Sequence, residues 1–165
     1  MIGNDIVDLA LARQESNWRR KGFLDKIFTE NEQLLVKKAM NPEIMVWNLW
    51  SRKEAAYKIY NRQTLIRGYF PSQLECFDLE TSAGITFGKV RIKKQVYYTK
   101  TTITSQFINT IAVANVKDFD SIKTLKNCKN IRKTAGIPSL FENKTFSTRP
   151  LSISHHGRFE QIITI

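Results

Sequence analysis

The sequence predicts an α+β fold in which helices pack on an antiparallel β-sheet, and three observations lead there. Apolar residues recur at helical spacing between residues 9 and 63, β-branched and aromatic residues alternate with polar ones between 68 and 116, and the alternation returns at the end of the chain. Helices first and strands afterwards do not fit a parallel α/β sheet, which interleaves the two.

The chain opens with an apolar-rich segment over residues 1–9, carrying Asp5 and Asp8, that reads as a strand. Residues 9–18 and 22–27 read as helix. Thr29-Glu30-Asn31-Glu32 is a capping box, with the Glu three residues after the Thr, and it starts a helix over 30–40. Asn41-Pro42 ends that helix and opens the next, because a first-turn proline lacks only an N–H that would have no partner. The periodic segment then runs over 43–63. Strands follow over 74–79, 85–90, 95–103 and 110–116, with Gly84, Gly88 and Asn109 as turns, and these make an antiparallel meander. Residues 117–150 are rich in Lys and Asn, with a helix expected over 121–133 and an irregular stretch around Gly136, Pro138 and Pro150. Here an arm or insertion is expected on a single domain spanning 1–165. Residues 151–154 and 159–165 read as two short strands around His155-His156-Gly157-Arg158.

Composition narrows the classes. With 165 residues and 42% hydrophobic content, the chain can build one core without disulfides, so global disorder and a disulfide-stapled miniprotein are both poor readings. Cys76 and Cys128 lie too far apart for a Cys-x-x-Cys site and fit a reducing cytoplasm. Asp5 stands where a signal peptide would carry basic residues, and no apolar run approaches the ~18 residues of a membrane span, so no membrane partner is expected. Lys and Arg number 26 against 15 Asp and Glu, a net charge of +11 that calls for a polyanionic partner. The excess is uneven: residues 1–60 hold ten basic and eight acidic side chains, residues 61–165 sixteen and seven.

At ~100° per residue, Met45, Val46, Leu49, Trp50, Ala56, Tyr57 and Tyr60 share the core face of the long helix. Lys53 projects into that apolar arc, where an ammonium must snorkel out or meet an anion. Glu54 and Lys58, at i and i+4, sit together at its border. Alone, that pair reads as a surface ion pair worth ~0.3–0.5 kcal/mol. Asp5 alters the reading. A carboxylate inside an apolar strand, beside Gly3, is either strand-end solvation or a metal ligand. Asp5 and Glu54 would supply two hard oxygen ligands, a usual protein share for Mg²⁺, with Asp8 a weaker candidate for the same role. In the third cluster, Ser152 to Arg158, a hydroxyl, an imidazole and a guanidinium around a glycine turn suit a phosphate.

Ile2-Gly3-Asn4-Asp5 and Trp50-Ser51-Arg52-Lys53-Glu54-Ala55-Ala56-Tyr57-Lys58 resemble the two signatures of the 4′-phosphopantetheinyl transferases, Gly-x-Asp on the first strand and Phe/Trp-Ser/Cys/Thr-x-Lys-Glu-Ala/Ser-x-x-Lys on a later helix. Ser152-Ile153-Ser154-His155 stands where the short holo-acyl-carrier-protein synthase type places a closing Ser-x-Ser/Thr-His element, and residues 23–32 are similar to the stretch between the signatures. Asn4 and Val7 depart from the family pattern.

The resemblance implies the family's fold and a transfer of 4′-phosphopantetheine from coenzyme A to a serine of an apo acyl or peptidyl carrier protein. It implies Mg²⁺ held by Asp5 and Glu54, Lys58 on the pyrophosphate with Lys53 as second cation, and His155 with Ser154 or Arg158 on the ribose 3′-phosphate. Glu54 and Lys58 are then the catalytic residues, with Glu54 or a metal-bound water taking the serine proton. A homotrimer is implied by the short type. An acidic carrier protein suits the net charge, and Arg13, Arg19, Arg20 and Lys21, with Trp18 and Phe23, are the expected docking residues. A small basic nucleic-acid-binding α+β protein is the alternative, supported by the basic excess after residue 60 and by Tyr97, Tyr98 and Phe107. It leaves Lys53, Glu54 and Lys58 unexplained, so no nucleic acid is expected.

Overall fold

Apolar side chains at Ile2, Ile6 and Val7 bury the opening strand, β1 (Ile2–Asp8), along nearly its whole length. This is seen in a computed structural model that describes residues 1–82, 84–126, 128–142 and 147–165. Asp8 ends the strand and caps the first helix, α1 (Leu9–Glu15), its Oδ1 accepting from the N–H groups of Ala10 and Leu11. A short α2 (Phe23–Ile27) follows Gly22, which takes a left-handed φ of 77°. The Thr29/Glu32 capping box forms as the spacing predicts and opens α3 (Glu30–Lys38). Asn41 accepts from Ile44 N–H to start α4 (Pro42–Thr64), with Pro42 in its first turn.

The meander also forms: β2 (Leu74–Ser82), β3 (Ile85–Ile92), β4 (Gln95–Ile103) and β5 (Phe107–Val113) pair antiparallel in sequence. The first strand joins its far edge against β5, from Ile2 opposite Val113 to Asp8 opposite Phe107, giving the order β1-β5-β4-β3-β2. Gly88 and Asn109 lie inside β3 and β5 rather than at turns. At Gly88 the missing Cβ leaves the space taken by Leu79 and the Arg52 guanidinium, 2.5 and 2.9 Å from where a Cβ would stand. One face of this sheet carries α4. Leu49, Ala55, Ala56 and Ile59 of the helix share a core with Leu74, Val90, Tyr97, Ile108 and Ala112.

The C-terminal third makes a second sheet instead of a helix over 121–133. Val116–Ser121 is a 3-10 turn capped by Asn115, and the chain then runs through β6 (Lys123–Leu125), β7 (Ile131–Thr134), β8 (Ile137–Glu142), β9 (Ser147–His156) and β10 (Phe159–Thr164). Their order is β6-β10-β9-β8-β7. The physical reason lies in the residues: Ile122, Thr124, Ile131 and Thr134 are β-branched and present no apolar stripe at helical spacing.

The two sheets meet at β1. Alternate N–H groups of a paired strand point away from its partner and would leave an open edge. Side chains of β9 close that edge: Ser152 Oγ accepts from Asn4 N–H at 3.0 Å, Ser154 Oγ from Ile6 N–H at 2.9 Å, and His156 Nδ1 from Asp8 N–H at 2.8 Å. Asn4, fully buried, donates its side-chain amide to the Gln161 carbonyl of β10 at 3.0 Å.

Candidate active site

Gly3 sets the site. A Cβ there would lie 2.0 Å from the Ala55 carbonyl oxygen, so only glycine lets the α4 backbone settle on β1. Ala55 is the residue after Glu54, and this contact brings Glu54 beside the strand that carries Asp5.

Both carboxylates line one cavity of about 270 Å³ together with Trp47, Trp50 and His155. Ser154 Oγ donates to Asp5 Oδ1 at 3.1 Å, and Lys58 Nζ lies 3.9 Å from the same oxygen. The other oxygen, Oδ2, is buried with no hydrogen-bond partner. Burial raises the Asp5 pKa above its ordinary value, with the Lys58 charge working against it. Burial, and then the negative charge of Asp5, push Glu54 up to about 7, while the Lys58 charge opposes the shift. Two crowded carboxylates, one with an oxygen left unsatisfied, form a donor set that a hard divalent cation fits. Among the described residues no group of three or more His, Cys, Asp or Glu side chains converges.

Glu54, Lys58 and Arg62 stand four residues apart and form one stripe along α4, changing from carboxylate to cations toward the C-terminal end, where the helix dipole favours them. Lys58 Nζ donates to the Asn4 carbonyl at 2.6 Å and the Ile153 carbonyl at 3.2 Å. An ammonium has three N–H groups, so one is left beyond these two bonds, with the Asp5 carboxylate 3.9 Å away. Lys58, Arg62, Lys133 and His155 line a second cavity of about 360 Å³. His155 borders both hollows. The arrangement places a recess lined by two carboxylates beside one lined by cationic side chains.

Asp5, Glu54, Lys58 and His155 therefore come together, whereas other expected site residues are engaged elsewhere. Lys53 is fully buried and donates to Glu32 Oε2 at 2.6 Å and to the Ile27 and Pro71 carbonyls at 2.7 and 2.9 Å. With its donors spent inside the core it holds α4 to the α2–α3 region and does not reach a ligand. Arg158 grips Asp8, its Nε 2.8 Å from Oδ2 and its Nη2 2.9 Å from Oδ1. That guanidinium holds the Asp8 carboxyl well below the usual range, and the α1 cap takes its remaining capacity. Asp8, committed to this pair and to the cap, does not line the recess of Asp5 and Glu54, whereas Arg158, its side chain 57% exposed, keeps N–H groups beyond the two given to Asp8. Ser154 is buried between Ile6 N–H and Asp5, so its hydroxyl serves the carboxylate.

Of the expected docking residues, Arg13 donates to Glu43 at 3.0 Å, and the Arg19 and Arg20 guanidiniums lie over the rings of Trp18 and Phe23. Phe23 belongs to the core, with Trp18 packed against it. Arg62, which lines the second cavity, continues the Glu54/Lys58 spacing and was not among the expected residues. Lys133 carries no such signal.

A family model described as the 4′-phosphopantetheinyl transferase superfamily matches residues 1–114. Among solved structures, the chain is similar to Helicobacter pylori holo-(acyl-carrier-protein) synthase in complex with coenzyme A, at 19% identity and a TM-score of 0.49, over 68% of this chain and 98% of that one. None of the curated proteins matches the sequence. The family match spans β1, α4 and the first sheet, including both carboxylates and Lys58, and on it the chain belongs to the 4′-phosphopantetheinyl transferase superfamily and is a transferase.

Proposed function

We propose that the protein moves 4′-phosphopantetheine from coenzyme A to a serine of an apo acyl or peptidyl carrier protein. The observation that carries this reading is the shared recess of Asp5 and Glu54, with Asp5 Oδ2 buried and unpartnered, next to a basic hollow.

In this reading Asp5 and Glu54 hold Mg²⁺. When bound, the ion neutralises charge on the pyrophosphate. Lys58, fixed by two carbonyls, directs its remaining N–H at a phosphate oxygen. The serine oxygen bonds to the β-phosphorus, the bridging P–O bond breaks, and 3′,5′-ADP leaves. Such transfers are governed by positioning and charge stabilisation. Glu54, which lines the recess, is the group this reading assigns to take the serine proton. His155 contacts the phosphates from the β9 side. The net charge of +11 steers both coenzyme A and an acidic carrier to the protein, and added salt weakens that attraction.

The test is incubation with coenzyme A, Mg²⁺ and several apo carrier proteins, read by mass spectrometry. A phosphopantetheine adduct on the carrier serine is the expected result. No adduct on any carrier, together with salt-sensitive RNA binding, would replace this reading with that of a nucleic-acid-binding protein.

A further inference from the structure

Two arginines at the end of α4 and just beyond it hold the β7–β8 hairpin over the basic cavity. Arg62 Nη2 donates to the Pro138 and Leu151 carbonyls at 2.7 Å each, and Arg67 Nη2 donates to the Ala135 carbonyl at 2.8 Å. The hairpin turns through Ala135 and Gly136, with φ of 50° and 80°, the two successive left-handed residues of a tight turn. Such a turn fixes the register, which sets Lys133 opposite Pro138. Cross-strand partners share a face. Both line the cavity with Lys58, Arg62 and His155, so the hairpin forms one of its walls.

The charges in this hollow are one-sided. No carboxylate is among its lining residues, Arg62 Nε is buried without a hydrogen-bond partner, and no acid among the described residues pairs with Lys133. Like charges gathered around one space repel until an anion fills it. Tyr57, Ile137 and Pro138 add an apolar wall suited to a ring system, and about 360 Å³ falls within the ~300–1,000 Å³ of ordinary ligand sites.

We propose that this cavity binds the nucleoside-phosphate end of the donor, and that Lys133, from a hairpin outside the family match, is one of its phosphate-binding residues. The inference rests on the transferase reading for the identity of the donor. It gives the hairpin a role in donor recognition, with the site's cations drawn from both α4 and the second sheet.

Titration calorimetry with 3′,5′-ADP as the probe tests it. Lys133→Ala should weaken binding ~10-fold and raise the KM for coenzyme A by a similar factor, as expected for loss of one charge-assisted bond, while Lys133→Arg stays within ~2-fold. Lys94→Ala, in the exposed turn between β3 and β4, should leave binding unchanged. Lys133→Ala binding like the unaltered protein, or Lys94→Ala losing as much, overturns the proposal. If carrier proteins are modified yet 3′,5′-ADP binding ignores Lys133, only this inference fails. If no carrier is modified but binding still depends on Lys133, the anion site stands and the transferase reading fails.

Discussion

The acidic half of the site is fixed by two backbones in contact, whereas its basic half is held by side chains that reach across to carbonyl groups. Gly3 against Ala55 locks α4 onto β1, and Asp5 and Glu54 ride on those elements. Lys58, Arg62 and Arg67 instead span from α4 and its C-terminal flank to the carbonyls of Asn4, Ile153, Pro138, Leu151 and Ala135. A cation ligand set needs fixed oxygens, and rigid elements supply them. Phosphate binding tolerates more adjustment, since long cationic side chains can re-aim their spare donors.

The largest expected effect breaks the acidic half. Glu54→Gln should lower transfer by ~10³-fold or more, because one charged ligand and the proton acceptor are lost together. The unfolding temperature should hold or rise, since the costly buried charge is gone. Turnover unchanged in this variant would remove Glu54 from the mechanism.

Lys53→Met separates the two lysines of the signature. It leaves Glu32 buried without its cation and should cost ~3–5 kcal/mol in urea unfolding. In protein that still folds, the KM for coenzyme A should be unaffected. A raised KM with little loss of stability would return Lys53 to the ligand.

Ser154→Ala joins the halves, because this hydroxyl of β9 orients Asp5 on β1. Metal affinity measured by Mn²⁺ titration should fall ~10–100-fold, the usual effect of removing a group that orients a ligand. Ser154→Thr, which keeps the hydroxyl, should recover most of it. An unaltered affinity in the alanine variant would make the bond incidental.

The smallest effect sharpens the electrostatics. Glu54 must lose its proton to bind an ion, and its pKa stands near 7 in the unliganded chain. Affinity for Mn²⁺ should therefore rise with pH, up to ~10-fold per unit below about 7, and level off above it. In Glu54→Gln no Mn²⁺ binding that strengthens through this range should remain. A slope shared by both proteins would place the titrating group elsewhere.

These contrasts also explain what could be read in advance. Helical periodicity fixes which residues share a face, so Glu54 and Lys58 were legible, and so was the need of Lys53 for an anion. That the anion is Glu32, whose other oxygen accepts from Cys76 N–H at 2.7 Å, depends on how α3 and β2 pack and is not a local property. The glycine before Asp5 signalled a close approach, although not which backbone makes it. That Ser154 donates to Asp5 and Arg158 pairs with Asp8 depends on β9, and the turn after it, lying along β1 nearly a whole chain length away. The helix expected over 121–133 is replaced by strands of the second sheet, and Lys133 gains meaning only once Arg62 and Arg67 dock its hairpin.

Electron paramagnetic resonance of Mn²⁺ titrated into the protein, Asp5→Asn and Glu54→Gln tests the paired carboxylates most directly. One bound ion per chain in the unaltered protein, and loss of that ion in both variants with the fold retained by circular dichroism, is the predicted result. Equal Mn²⁺ uptake by all three proteins would show that the two carboxylates do not share a metal.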